Sequence, residues 1–284
     1  MKTEQVTCYY CHSSEFELYD TENGFNLVKC QQCGLLYVNP RPQMDDIKEA
    51  HQVGQHRGEE IIDVTGNFNH EKVEHYLDIL QDFYGENPDF LAQKRWLDIG
   101  CGHGEFVKAL EIFTKENCHV QGVEPNIYKQ QSAQKEGLNV SFFDLDKCET
   151  KYNSISLLNV YSHLPDPIKI LENWTRLLTE KGELLIQTGD SANLDQKDHH
   201  RPYYLPDHLS FVSEEILTHI LKNLGFQIIE VKKYRFSEFR VPTVKNMAEE
   251  TLKLIMPHQK SSLFTELFPN HPNRDMWIRA IKKE

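Results

Sequence analysis

Four cysteines stand in two close pairs, Cys8 with Cys11 in "CYYC" and Cys30 with Cys33 in "CQQC". Their spacing, C-x2-C-x18-C-x2-C, falls in the range of a zinc site built from four thiolates. Four thiolates saturate a tetrahedral Zn²⁺ and leave no position for water or substrate, so the expected role is structural. His12 borders the first knuckle and reads as a surface residue. Cys101, Cys118 and Cys148 have no partner in sequence; the last two read as ordinary residues. With four of seven cysteines in knuckles, a reduced metal-binding chain is expected rather than a disulfide framework.

A second constellation lies in "LDIGCGHGEF", residues 97–106. Gly100, Gly102 and Gly104 follow a short apolar run. Glycine lets the backbone turn tightly and lets a ligand approach it, and the helix that follows offers free N–H groups. Such a turn alone also fits a dinucleotide-binding fold. Asp98 sharpens it, because a carboxylate there repels a pyrophosphate and suits a cationic or amine-bearing ligand. Cys101 lies inside the turn and is expected to act through its backbone. Glu124, followed by Pro125, ends the next predicted strand, where an acidic side chain can accept both hydroxyls of a ribose. Asp144, in "FFDLD", is placed to accept from the amine of an adenine.

The third group is histidine, the best general base near neutral pH. Of fourteen, two fall after predicted strands, where ligands of open α/β sheets bind. These are His163 in "NVYSHLPDP" and His208 in "PYYLPDHLSFVS". Tyr204 and Asp207 share the second segment. His199 and His200, in "DQKDHHRP", read as part of a solvated loop.

The elements that must position these residues fall into three stretches. Residues 1–42 hold the knuckles and end at the turn signal "NPRP". Residues 43–93 read as a helical linker and cap. In "HEKVEHYLDILQDFYG", Val73, Tyr76, Leu77, Leu80, Phe83 and Tyr84 recur at helical spacing, with Asn69 as N-cap and Gly85 as stop. Residues 94–284 alternate strands with helices. The strands are "RWLDIG", "HVQGVEP", "NVSFFD", "SISLLNV", "GELLIQT", "QIIEVKKY" and "MWIRAIK". Seven strands in this rhythm predict an open, doubly wound α/β sheet whose last two strands pair antiparallel.

Composition narrows the partners. The net charge of −12 opposes a general phosphate-binding surface. Lys232, Lys233, Arg235, Arg240, Lys245 and Lys253 make the C-terminal stretch mildly basic, which leaves a local nucleic-acid patch as the rival to a solvated face. No run of about 18 apolar residues suggests a membrane span. The N-terminal stretch lacks a signal-like apolar segment, so a cytoplasmic protein is expected.

Taken in order, the glycine turn, Glu124, "YNSISLLNVYSHLPDP" and "GELLIQT" make the chain resemble the class I S-adenosylmethionine-dependent methyltransferases over residues 94–284. The fold implied is α/β, a seven-stranded Rossmann-like sheet behind an N-terminal four-cysteine zinc ribbon. The resemblance implies that Asp98, Gly100, Cys101 and Gly102 line the methionine end of S-adenosylmethionine. It implies that Glu124 and Pro125 face the ribose, Asp144 the adenine, and Asn159 and Val160 the sulfonium side. "CQQCGLLYVNPRP" is similar to the zinc ribbon that precedes small-molecule methyltransferases, among them sugar C-methyltransferases. His163, His208 and Leu209 match that family's positions, Asp207 stands for its Glu, and Leu205 occupies its Tyr position with Tyr204 one residue before. The resemblance does not extend to that family's large C-terminal domain. It implies methyl transfer to a small polar metabolite, with a sugar-like molecule as one candidate, and histidine-assisted deprotonation of the acceptor. The alternatives are an RNA methyltransferase docking through its ribbon and a non-catalytic interaction protein.

Overall fold

The computed structural model describes residues 2–86, 88–235, 243–255 and 270–283. Arg240, counted above in the basic stretch, lies outside them.

The knuckle segment folds as an antiparallel meander, β1 (Phe16–Glu22), β2 (Phe25–Cys30) and β3 (Leu36–Val38). Helix α1 (Met44–Val53) follows and ends at Gly54, whose φ of 78° suits a residue without Cβ. The stretch expected to be mainly helical then turns into a small hairpin, Gln55–Arg57 against Ile61–Asp63. Its alternation is too short to compete with the helical pattern on either side. Helix α2 (His70–Tyr84) begins where Asn69 accepts a hydrogen bond from the Glu71 N–H. Its predicted stripe faces inward: Val73, Leu80, Phe83 and Tyr84 are buried, with Ile79 beside them.

The main sheet contains β4 (Arg95–Ile99), β5 (His119–Val123), β6 (Val140–Ser141), β7 (Tyr152–Leu158), β8 (Leu178–Gly189), β10 (Phe226–Arg235) and β11 (Asn273–Lys282); β9 (Ser210–Phe211) belongs elsewhere. Its order is β6-β5-β4-β7-β8-β11-β10. The first five strands are parallel, and β11 inserts antiparallel between β8 and β10. Helices α3 (Glu105–Phe113), α4 (Ile127–Lys135), α5 (Pro167–Thr175) and α6 (Glu214–Asn223) connect them. A last helix, α7, spans Val244–Ile255. Third-strand pairing stops at Ser141, short of the predicted "NVSFFD", so Asp144 is not at a strand end. It caps a single 3₁₀ turn instead, accepting from the Asp146 N–H.

Apolar side chains pack on both faces of the sheet. On one face α2 and α3 meet Trp96 and Trp277 through Phe83, Phe106 and Leu110. On the other, Leu171 and Leu217 join Ile155 and Ile186, and this core runs without a break into Val28, Leu35 and Tyr37 of the knuckle segment. The knuckle sheet also takes its fourth strand from far along the chain. Strand β9 pairs with β3, Ser210 opposite Tyr37 and Phe211 opposite Leu36.

Candidate active site

Strand β4 delivers Asp98 to the glycine turn. Asp98 is 1% exposed and accepts a hydrogen bond from Ser156 Oγ at 2.6 Å. Ser156 in turn accepts from Trp96 Nε1 at 3.0 Å. Burial, with Glu124 and Glu105 close by, pushes the Asp98 carboxyl up to about 7. Among the described residues no lysine or arginine pairs with Asp98, Glu105 or Glu124. Three buried acidic groups without a cation suit a positively charged ligand.

The glycines have separate tasks. A Cβ on Gly100 would meet Val160 Cγ2 at 2.5 Å, and one on Gly104 would meet Leu138 Cδ1 at 2.6 Å. Gly102, at φ +57°, faces open space. Its N–H donates to Glu124 Oε2 at 2.9 Å, while the Asn126 N–H donates to Oε1 at 2.9 Å. Glu124 is thus held rigidly across the turn, with Pro125 half-buried next to it. Cys101 Sγ turns inward against Gly122. Asn159 adopts φ 56° after β7, and its N–H donates to Gln187 O at 3.1 Å. Val160 packs on the turn. Asp144 is exposed and pairs with Lys147 at 3.0 Å.

The cap closes over this edge. His103, inside the glycine turn, donates from Nε2 to Thr65 O at 2.6 Å. Glu105 accepts from the Asn69 N–H at 3.1 Å. At the end of α1, Gly54 comes so near Asn126 that a Cβ would lie 2.5 Å from Nδ2. His103 and Glu105 were missed in sequence, although both stand in the quoted turn. Ser156 carried a weak signal, as a polar residue inside an apolar strand.

A few residues beyond Val160 lies a knot of histidines. His163 Nδ1 is 3.0 Å from Asp207 Oδ1 and also 3.0 Å from Asp207 O. His56 Nε2 is 3.0 Å from the same Oδ1. The His163 and His208 rings are 4.7 Å apart, and His51 lies 6.2 Å from His163. Against its own burial, His163 is raised above the ordinary imidazole pKa by the Asp207 carboxylate. Burial would raise Asp207, yet His163 and His56 hold it well below the usual carboxylate range. His208 is pulled down to about 4 by burial and by the neighbouring His163. His208 Nδ1 lies 2.8 Å from Tyr203 O, an acceptor only, so Nδ1 carries the proton and Nε2 the lone pair. Tyr204, at φ 60° and 39% exposed, has its ring 6.0 Å from that of His208. His51 and His56 had no sequence signal, because the cap places them. His199, expected in solvent, is buried between Tyr203 and Phe211, with ring centroids 4.9 and 5.1 Å away.

The knuckle segment holds this loop from below. Glu22 accepts from the Tyr203 N–H at 2.7 Å and the Leu205 N–H at 3.1 Å. Asp20 accepts from Tyr203 Oη at 2.8 Å and pairs with Arg201. The four cysteine sulfurs all lie within 4.8 Å of one another, with Cys8 and Cys33 3.5 Å apart and Cys11 and Cys30 3.4 Å apart. A tetrahedral Zn²⁺ with Zn–S of about 2.3 Å spaces its sulfurs by about 3.8 Å, so the set fits.

Of the basic C-terminal residues, Lys232 pairs with Asp82 and Glu230, and Lys233 with Asp190 and Glu214. Among the described residues no helix is long and apolar enough to cross a membrane.

Comparison with known proteins bears on the fold and the family. The chain is 28% identical over 141 residues to the ubiquinone biosynthesis O-methyltransferase of Actinobacillus pleuropneumoniae serotype 7 (strain AP76), covering 44% of this chain and 58% of that one. It is 24% identical over 137 residues to the enzyme of that name from Erwinia tasmaniensis, covering 44% and 54%. The chain therefore spans little more than half the length of these relatives. A SAM-dependent methyltransferase from Archaeoglobus fulgidus shares the fold, with a TM-score of 0.50, 24% identity and coverage of 74% of this chain and 94% of that one. So does a chain of a complex containing the Haloferax volcanii Trm112 methyltransferase activator, with a TM-score of 0.53 and 12% identity over 77% of this chain and all of that one. The methyltransferase-domain family matches residues 68–231, more than half of the sequence and the part that carries the cradle, His163, Asp207 and His208, whereas His51 and His56 lie before it. With its seven-stranded sheet and its glycine turn, the chain belongs to the methyltransferase-domain family.

Proposed function

We propose that the chain methylates a small polar metabolite, with His208 taking the proton of the acceptor. The observation that carries this reading is the tautomer of His208. Its Nδ1 proton is committed to Tyr203 O, so Nε2 is the basic atom, beside the hydrogen-bonded pair of His163 and Asp207. S-adenosylmethionine, when bound, supplies an electrophilic methyl group, so positioning and proton removal fall to the protein. Asp98 and Gly102 line the charged end of that ligand, Glu124 its ribose, Asp144 its adenine, and Asn159 and Val160 the side toward the acceptor. Asp207 orients His163, and Tyr204 borders the acceptor pocket. The relatives named as O-methyltransferases favour an oxygen acceptor. Sugar-like molecules fit the polar lining equally in chemistry. Cys8, Cys11, Cys30 and Cys33 would hold a structural Zn²⁺ that fixes the loop carrying His208.

The test pairs binding with turnover. Purified chain should bind S-adenosylmethionine by calorimetry, and Gly102→Val should abolish binding by filling the open side of the turn. Labelled cofactor screened against metabolite pools should then reveal the acceptor. His208→Ala is expected to lower kcat by roughly 10²–10⁴ with cofactor affinity kept. Unchanged turnover across pH would remove His208 from the reaction.

A further inference from the structure

The histidine knot has more nitrogen than a hydrogen-bonded pair requires. One ring nitrogen of His51, one of His163 and a carboxylate oxygen of Asp207 lie within 4.8 Å of one another. They come from the last turn of α1, the turn after β7 and the loop after β8. His51 Nε2 is buried with no hydrogen-bond partner. His56 Nε2 is buried as well, and its approach to Asp207 lacks hydrogen-bond geometry. Buried imidazole nitrogens normally find a donor or an acceptor. A buried imidazole in such a cluster, with a nitrogen left unpartnered beside a carboxylate and a second imidazole, suits a metal ligand.

We propose that His51, His163 and Asp207 form a second metal site, which takes a divalent first-row transition ion such as Zn²⁺, Fe²⁺ or Co²⁺. Two imidazoles and one carboxylate suit these ions, whereas Mg²⁺ and Ca²⁺ prefer all-oxygen sets. Three protein ligands leave coordination positions open, unlike the saturated cysteine set. Oxygen atoms of the acceptor are the natural occupants, and the ion would polarise them. Asp207 O, 3.0 Å from His163 Nδ1, and His56 beside the carboxylate supply the outer contacts that orient such ligands. Because His51 belongs to the cap and the other two to the sheet edge, the ion would also latch α1 over the pocket.

Co²⁺ is the probe. Full-length chain with its cysteine site filled by Zn²⁺ should take up one further equivalent of Co²⁺. That equivalent should show weak visible bands and none of the intense near-ultraviolet sulfur-to-cobalt bands. His51→Ala and the bulkier His51→Gln should both weaken it by more than the roughly 10–100-fold that loss of an outer partner costs. Amide exchange across residues 44–63 should slow when Co²⁺ binds the wild type. No second equivalent in the wild type, sulfur bands on it, or uptake unchanged in both variants would each overturn the site. His208→Ala should load Co²⁺ like wild type, so the metal site and the proposed base fail independently.

Discussion

At the scale of single residues, Asp98 makes the sharpest prediction. Its pKa near 7 exceeds that of an unfolded aspartate, so the folded chain holds this proton more tightly. The ligand-free fold should therefore lose stability as pH rises from about 4 toward 7. A cationic cofactor prefers the ionised carboxylate. Its affinity should climb with pH, by at most about tenfold per unit, and level off above about 7. Asp98→Asn should flatten the profile in calorimetry run across that range; an unaltered slope would place the proton elsewhere. Asp98, Gly102 and Glu124 of the cradle were legible because they are neighbours in sequence or sit one strand apart, whereas Glu105, at the start of α3, was missed. The histidine knot was half legible. His163 and His208 follow strands, a rule that sequence can apply, but His51 and His56 reach Asp207 only through tertiary folding.

At the scale of elements, the strand and helix rhythm was readable from periodicity and caps. Asn69 illustrates this as the expected cap of α2, and Ser213 caps α6 in the same way, its Oγ accepting from the Ile216 N–H. Ser213→Ala should cost about 1 kcal/mol, seen as a lower Tm in thermal unfolding. The short pieces were not readable. The hairpin before α2 is a local pairing too short to stand out from the helical pattern around it, β6 is shorter than the strand expected from "NVSFFD", and β9 is held by a partner distant in the chain rather than by its own pattern. Strand β1 supplies a second test. Glu22 fixes the backbone of 203–205, and hydrogen bonds to a charged group contribute roughly 1.5–3 kcal/mol each. Glu22→Ala should loosen the loop that carries His208. We expect kcat/KM to fall while cofactor affinity holds; an equal loss in both would mean that Glu22 serves the whole fold.

At the scale of the molecule, the knuckle segment and the sheet share one apolar core through Cys8, Val28 and Tyr37 on one side and Leu97 and Ile155 on the other. Their unfolding should be cooperative. A chelator strong enough to strip the cysteine site should lower the Tm of the entire chain, since metal binding free energy is folding free energy here. Calorimetry showing a separate early transition, with the sheet and cofactor binding intact, would argue against that coupling. The shared core was hidden from sequence because residues 1–42 look self-sufficient, bounded by a turn signal and closed by their own metal set.

Strand β9 carries a practical warning for anyone dividing this chain. A protein trimmed near residue 43 would lose the partner of Ser210 and Phe211 and uncover Val212, Leu217 and Ile220. The newly bare strand and its oily surroundings would offer themselves to other copies, and insolubility would be the first symptom. Failure of such a fragment to methylate anything would then report aggregation, with no bearing on whether the cysteines take part in the reaction.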